Sequence, residues 1–120
     1  MSISAGIPAF SASDLSLARA CLKERFGHDV DVQEVETEVR LFPGDRELAL
    51  CPALYWQQDG CSFVMSKTGP AAYRAMFFYS VKDRFGTGAE EYDNLGDCII
   101  TLLKVQEKEH DRRNQEAGIR

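Results

Sequence analysis

Asp59-Gly60 stands between the runs LYWQQ (54–58) and CSFVM (61–65), and no other dipeptide in the chain limits its fold so strongly. An aspartate followed by glycine supplies the positive φ angles of a two-residue hairpin turn, whose twist matches that of the strands it joins. The two flanking runs must then be antiparallel neighbours. The domain therefore contains a sheet built from local hairpins.

The remaining elements follow from spacing and punctuation. Ser11 to Asp14 fits a capping box, and Leu15, Ala18, Leu22 and Phe26 recur at helical spacing until Gly27, which predicts a first helix of about 14 residues. Val35, Thr37, Val39 and Leu41 alternate with Glu34, Glu36, Glu38 and Arg40. That is the pattern of a strand with an apolar face on the core and an acidic face in water. Helical spacing through Val32, Val35, Val39 and Phe42 also exists, but repeated valines favour the strand.

Residues 47–50 and 53–56 form a second extended element interrupted at Cys51-Pro52, and the proline predicts an edge position or a bulge there. A third strand spans about 61–67 and stops at Thr68-Gly69-Pro70. The stretch AAYRAMFFYSV (71–81) is compatible with helix or strand, and its aromatic content favours a fourth strand. FGTGAEEYDN (85–94) then reads as a joint, with permissive glycines, an N-cap at Asp93 or Asn94, and acids placed where a helix dipole favours them. Leu95, Cys98, Ile99, Leu102 and Val105 mark the buried stripe of the last helix, after which 106–120 reads as a polar helical extension or tail. The expected architecture is a single α+β domain over 1–120: an N-terminal arm (1–10), a helix, an antiparallel meander of three to four strands, and a long C-terminal helix.

Charge narrows the function. Of the net charge of −5, all lies in residues 1–60, which hold five basic and ten acidic side chains against nine of each in 61–120. Between His28 and Glu47 alone there are seven acids and two arginines. Such a chain does not grip a phosphate backbone, so no direct nucleic-acid contact is expected. No apolar run approaches the roughly 18 residues a membrane span needs. The N-terminus has no basic residue ahead of its few apolar ones, so no secretory leader is expected, and the expected setting is the cytoplasm with reduced thiols.

The chemistry-bearing residues are few. A phosphate cradle at 85–94 fails on sign, because Glu90, Glu91 and Asp93 follow the glycines. A calcium loop fails on spacing. Cys51 and Cys61 are weak metal candidates with His28 as a third ligand, and Cys51 with His28 is the one drafted catalytic dyad. No catalytic residue and no cofactor is assigned.

What remains is surface. The expected function is that of a non-enzymatic accessory or inhibitory protein that binds a partner protein with a basic surface, and a homodimer is compatible with the same features. The assigned contact residues are Glu34, Glu36 and Glu38 on the acidic strand, with Tyr55, Trp56, Arg74, Met76 and Phe78 on the sheet, since aromatic, Met and Arg side chains enrich binding patches. The alternatives are a small thiol or metal accessory factor of a metalloenzyme system, and an acidic mimic of nucleic acid that blocks a basic groove.

Overall fold

The computed structural model describes residues 2–4 and 6–118, with side chains from 6 to 116. It places, in chain order, β1 (Ser2–Ser4), α1 (Ala12–Phe26), β2 (Gln33–Val39), β3 (Leu48–Gln58), β4 (Cys61–Gly69), β5 (Ala72–Ser80), β6 (Asp83–Gly86) and α2 (Leu95–Gly118). At the predicted turn Asp59 and Gly60 have φ of 54° and 76°, and the β3/β4 hairpin closes directly on them. Strands β2 to β6 form an antiparallel meander, to which β1 adds a short parallel pairing. The arrangement is α+β.

Register sets what each face carries, because residues directly opposite on antiparallel strands point the same way. Trp56, Phe63, Phe77 and Phe85 are successive cross-strand partners on β3, β4, β5 and β6. Their rings follow one another at centroid separations of 5.2, 6.2 and 5.1 Å. Both helices lie on this aromatic row. α1 contributes buried Ala18 and Leu22, and α2 contributes Leu95, Cys98, Ile99, Leu102 and Leu103. The capping box at Ser11 and Asp14 and the left-handed Gly27 bound α1 as its sequence predicts.

The opposite face carries no helix, yet Ala49, Cys51, Ala53 and Ser66 on it are buried. Curvature explains this. Arg74 on β5 donates to the carbonyls of Arg40 and Leu41 beyond the end of β2, at 2.9 and 3.0 Å. On a flat sheet β2 and β5 would stand about 14 Å apart, three strand spacings. The sheet therefore curls towards its bare side and forms a trough.

Two expectations about β2 and β3 need correction. The valine row of β2 does not face the helices: Val35, Thr37 and Val39 lie opposite Ala53, Cys51 and Ala49 and point into the trough, while Glu34, Glu36 and Glu38 lie opposite Leu54, Pro52 and Leu50. The acids stay in water because the helices do not extend over β2. Pro52 does not mark an edge or interrupt β3, which is central and continuous over 11 residues. Leu50 pairs with both β1 and β2, so those strands hold opposite edges, and Pro52 sits in the gap between the end of β1 pairing at Leu50 and the start of β4 pairing at Ala53.

The residues expected as a polar helical extension or tail are helical as far as Gly118. α2 runs unbroken to Gly118, and Arg113 anchors its far half, 2.7 Å from Asp83 and stacked 3.9 Å from the Tyr79 ring centroid. Gln106, 1% exposed, donates to the Tyr79 hydroxyl at 3.1 Å. The N-terminal arm is likewise built in, through β1 and through Phe10, which stacks on Tyr73 at 6.4 Å. As for 71–81, β5 is the favoured strand, and β6 lies beyond the expected count of three to four.

Gly60→Ala should lower the urea unfolding free energy by about 1–2 kcal/mol, the cost of a side chain at left-handed φ. Gly44→Ala, where a Cβ meets nothing within 4 Å and φ is not left-handed, should stay within about 0.5 kcal/mol of wild type. Equal effects of the two substitutions would contradict the turn geometry.

Candidate functional site

β2 is the outermost strand of its side of the sheet: among the described residues it pairs with β3 alone. Alternate backbone N–H and C=O groups along its seven residues therefore point to an empty edge. The sequence builds this strand from two rows. Glu34, Glu36 and Glu38 are all exposed, about 6.8 Å apart along one face at strand rise, and no cation pairs with any of them among the described residues. Val35, Thr37 and Val39 form the other row.

A cleft lies on each side of this strand. On the helix side a cleft of about 420 Å³ opens between the N-terminal arm and β2, lined by Ile7, Ala9 and Phe10 against Glu34 and Glu36, with Pro52 between them. On the other side the trough holds about 400 Å³, lined by Thr37, Val39, Val64, Ser66, Arg74 and Met76. An acidic wall facing an apolar one suits a side chain that is both, such as a lysine or arginine with its methylene stem.

The eight assigned contact residues fall into three groups. Glu34, Glu36 and Glu38 form the exposed row. Tyr55, Arg74, Met76 and Phe78 share the trough face, half-buried, with Tyr55 bonded to Ser62 at 3.3 Å and Phe78 beneath Arg84 at 5.9 Å. Trp56 stands apart from both. It is 1% exposed, packed under the helices in the aromatic row, and offers no surface to a partner. Alternation already separates it from Tyr55, since neighbours on a strand face opposite ways.

Arg74 has its own internal work. All three of its nitrogens donate within the chain, to Arg40 O, to Leu41 O and to the Glu91 carboxylate at 3.3 Å. Glu91 also accepts from the Thr68 hydroxyl, and the backbone of the next residue, Tyr92, pairs both ways with Tyr73 at 2.8 Å. The glycine-rich stretch 85–94 is thus a joint tied to β5, with Asn94 capping α2 through its side chain. Arg74 fastens that joint to the end of β2.

The thiols do not assemble. Cys51 lies on the trough floor and Cys61 under the helices, so they occupy opposite faces of the sheet, and along β3 their positions differ by seven residues, roughly 23 Å. His28 sits exposed at the end of α1 with Nε2 3.1 Å from Gln58, on the side away from Cys51, so the two form no dyad. Among the described residues no three His, Cys, Asp or Glu side chains gather to hold a metal ion. Burial pushes the Cys61 thiol up to about 11 and Cys98 up to about 12, and raises Cys51 as well, where Arg74 partly opposes it. These are inert, protonated thiols at neutral pH.

Two features of the site escape the sequence. One is the arm, whose Phe10 and Ile7 complete the cleft; its only signal is a pair of large apolar residues ahead of a helix cap. The other is the freedom of the β2 edge, which depends on where every other strand pairs.

No protein-family model matches the chain, and neither does any curated protein or solved structure. No helix among the described residues is long and apolar enough to cross a membrane.

Arg74→Gln should destabilise the fold by about 2 kcal/mol, because charge-assisted bonds to two carbonyls and a carboxylate are lost. Arg74→Lys should recover less than half of that, since a single ammonium cannot span the three acceptors. A loss below about 0.5 kcal/mol in chemical denaturation would show that the clasp is unimportant. The thiols add a pH signature. Their folded pKa values are raised while an unfolded thiol ionises near 8.5, so stability is constant below that pH and falls above it. Between pH 8 and 10 the fall should be about 2 kcal/mol for each of Cys61 and Cys98, and Cys98→Ala should remove its share of the slope.

Proposed function

We propose that the protein is a non-enzymatic binding module that docks a partner protein with a basic surface along β2. The observation that carries this reading is the exposed row Glu34, Glu36 and Glu38, unpaired by any cation among the described residues, on the strand that the helices leave uncovered. The two flanking clefts support it, since they offer apolar contact on either side of the charges. Tyr55, Met76 and Phe78 on the trough face extend the contact surface, and the half-exposed Arg74 contributes at its margin. The setting consistent with unpaired cysteines is the reducing cytoplasm. The protein acts as an accessory or inhibitory factor whose effect comes from occupying its partner's surface.

The test is capture from native extract with the purified protein as bait, comparing wild type with the Glu34→Lys/Glu36→Lys/Glu38→Lys variant, each shown to be folded by circular dichroism. The expected result is one partner retained at near-equal amount by wild type and reduced at least about tenfold by the variant, with capture weakening at high salt as screened charge requires. Equal retention by both proteins would remove the acidic row from the site.

A further inference from the structure

A sheet edge can be met in two ways: by a surface that touches only its side chains, or by a strand that pairs with its backbone. From the geometry of β2 we infer that the partner segment adds as an extended strand to the free edge of β2, with basic residues at alternate positions. The inference rests on the docking reading above and specifies its mode.

Three observations lead to it. The free edge is long, seven residues, whereas the opposite side of the sheet ends in the four-residue β6 and, beside it, the Tyr73–Tyr92 backbone pair occupies the edge of β5. An edge strand presents a row of unpaired N–H and C=O groups, and a long one is a template for another chain. The clefts lie one on each face of β2, which is where alternate side chains of an added strand project. The rows differ chemically: carboxylates line the helix side, and Val35, Thr37 and Val39 line the trough side. An added strand continues both faces, so its residues beside the glutamates should be lysine or arginine and those between them apolar or β-branched.

The same geometry disfavours antiparallel pairing with a second copy of this chain. Two antiparallel β2 strands related by a two-fold axis keep their faces, which sets Glu34 opposite Glu38 and Glu36 opposite its own equivalent. Other two-fold registers still oppose acid rows along one face. Like charges directly across a strand pair repel, so the row that would invite a basic strand disfavours antiparallel self-pairing at this edge.

The probe is the acetylated and amidated heptapeptide Lys-Val-Lys-Val-Lys-Val-Lys, with two derivatives N-methylated on the valines or on the lysines. Methylation removes one set of edge donors and leaves every charge in place. Binding to the wild-type protein is read by NMR shift mapping and by hydrogen exchange of the β2 amides. The expected result is saturable binding at β2, slowed exchange at alternate β2 amides, and affinity at least about tenfold weaker for one methylated derivative only. Which derivative fails reports the direction of the added strand.

If both derivatives bind as the parent does, contact is through charge alone and strand addition is overturned while the acidic docking row survives. If the parent peptide fails to bind the folded protein, strand addition is likewise overturned. If it binds the Glu34→Lys/Glu36→Lys/Glu38→Lys variant as well as wild type, the acidic row itself is not the recognition element, and both readings fall.

Discussion

Four aromatic rings in a line hold this domain together. Trp56, Phe63, Phe77 and Phe85 come from four successive strands, and they meet only if each hairpin keeps its register. A slip of one residue anywhere would turn a ring to the opposite face. Rings at these separations add about 0.5–1.5 kcal/mol per pair beyond the area they bury. The Asp59-Gly60 turn fixes the first of these pairings, and both helices then pack on the finished row. Everything else is placed relative to it, including the strand the helices do not reach.

Covering one face leaves the other to be managed by shape. The bare face is paved with small side chains along β3, and the sheet curls until the end of β2 comes within reach of Arg74. A guanidinium suits that task, since its fork can satisfy two carbonyls and a carboxylate at once. The result ties the glycine-rich joint to the acidic strand through one side chain. On the helix side a second polar group performs a similar role: Gln106 and Arg113 meet Tyr79 from α2, which holds a helix about 36 Å long against the last strands instead of letting its charged half swing free.

The parts legible in the sequence are those governed by local rules. The hairpin, the capping box, the Asn94 cap and the strand over 71–81 all depend on residues within a few positions of one another. What escaped depends on the third dimension. Alternation in 33–39 gives the period of a strand but not the layer that covers each row, so the valines are apolar for the trough and not for the helical core. Pro52 reads as an edge marker, and only the gap between two partner strands lets a central strand carry it. Trp56 reads as surface by composition, although its parity with Phe63 puts it inside. Arg113 reads as a solvated charge until the aromatic pair beneath it, Tyr79 and Phe85, is in place.

The acidic row follows from the same one-sided architecture. A strand beyond the reach of both helices cannot bury its helix-side residues, so that row must be polar for the chain to stay soluble. Polarity alone would be met by serine or threonine, or by alternating charge that pairs along the strand. Three carboxylates of one sign, with no ion pair to any cation among the described residues, do something different: they make the local potential negative and disfavour antiparallel docking of a copy of the same strand. Solubility accounts for hydrophilic residues at these positions but leaves their single sign unexplained. The selectivity for a basic strand proposed above would account for both, because the repulsion that disfavours antiparallel self-pairing and the attraction that would admit an oppositely charged segment come from the same three side chains.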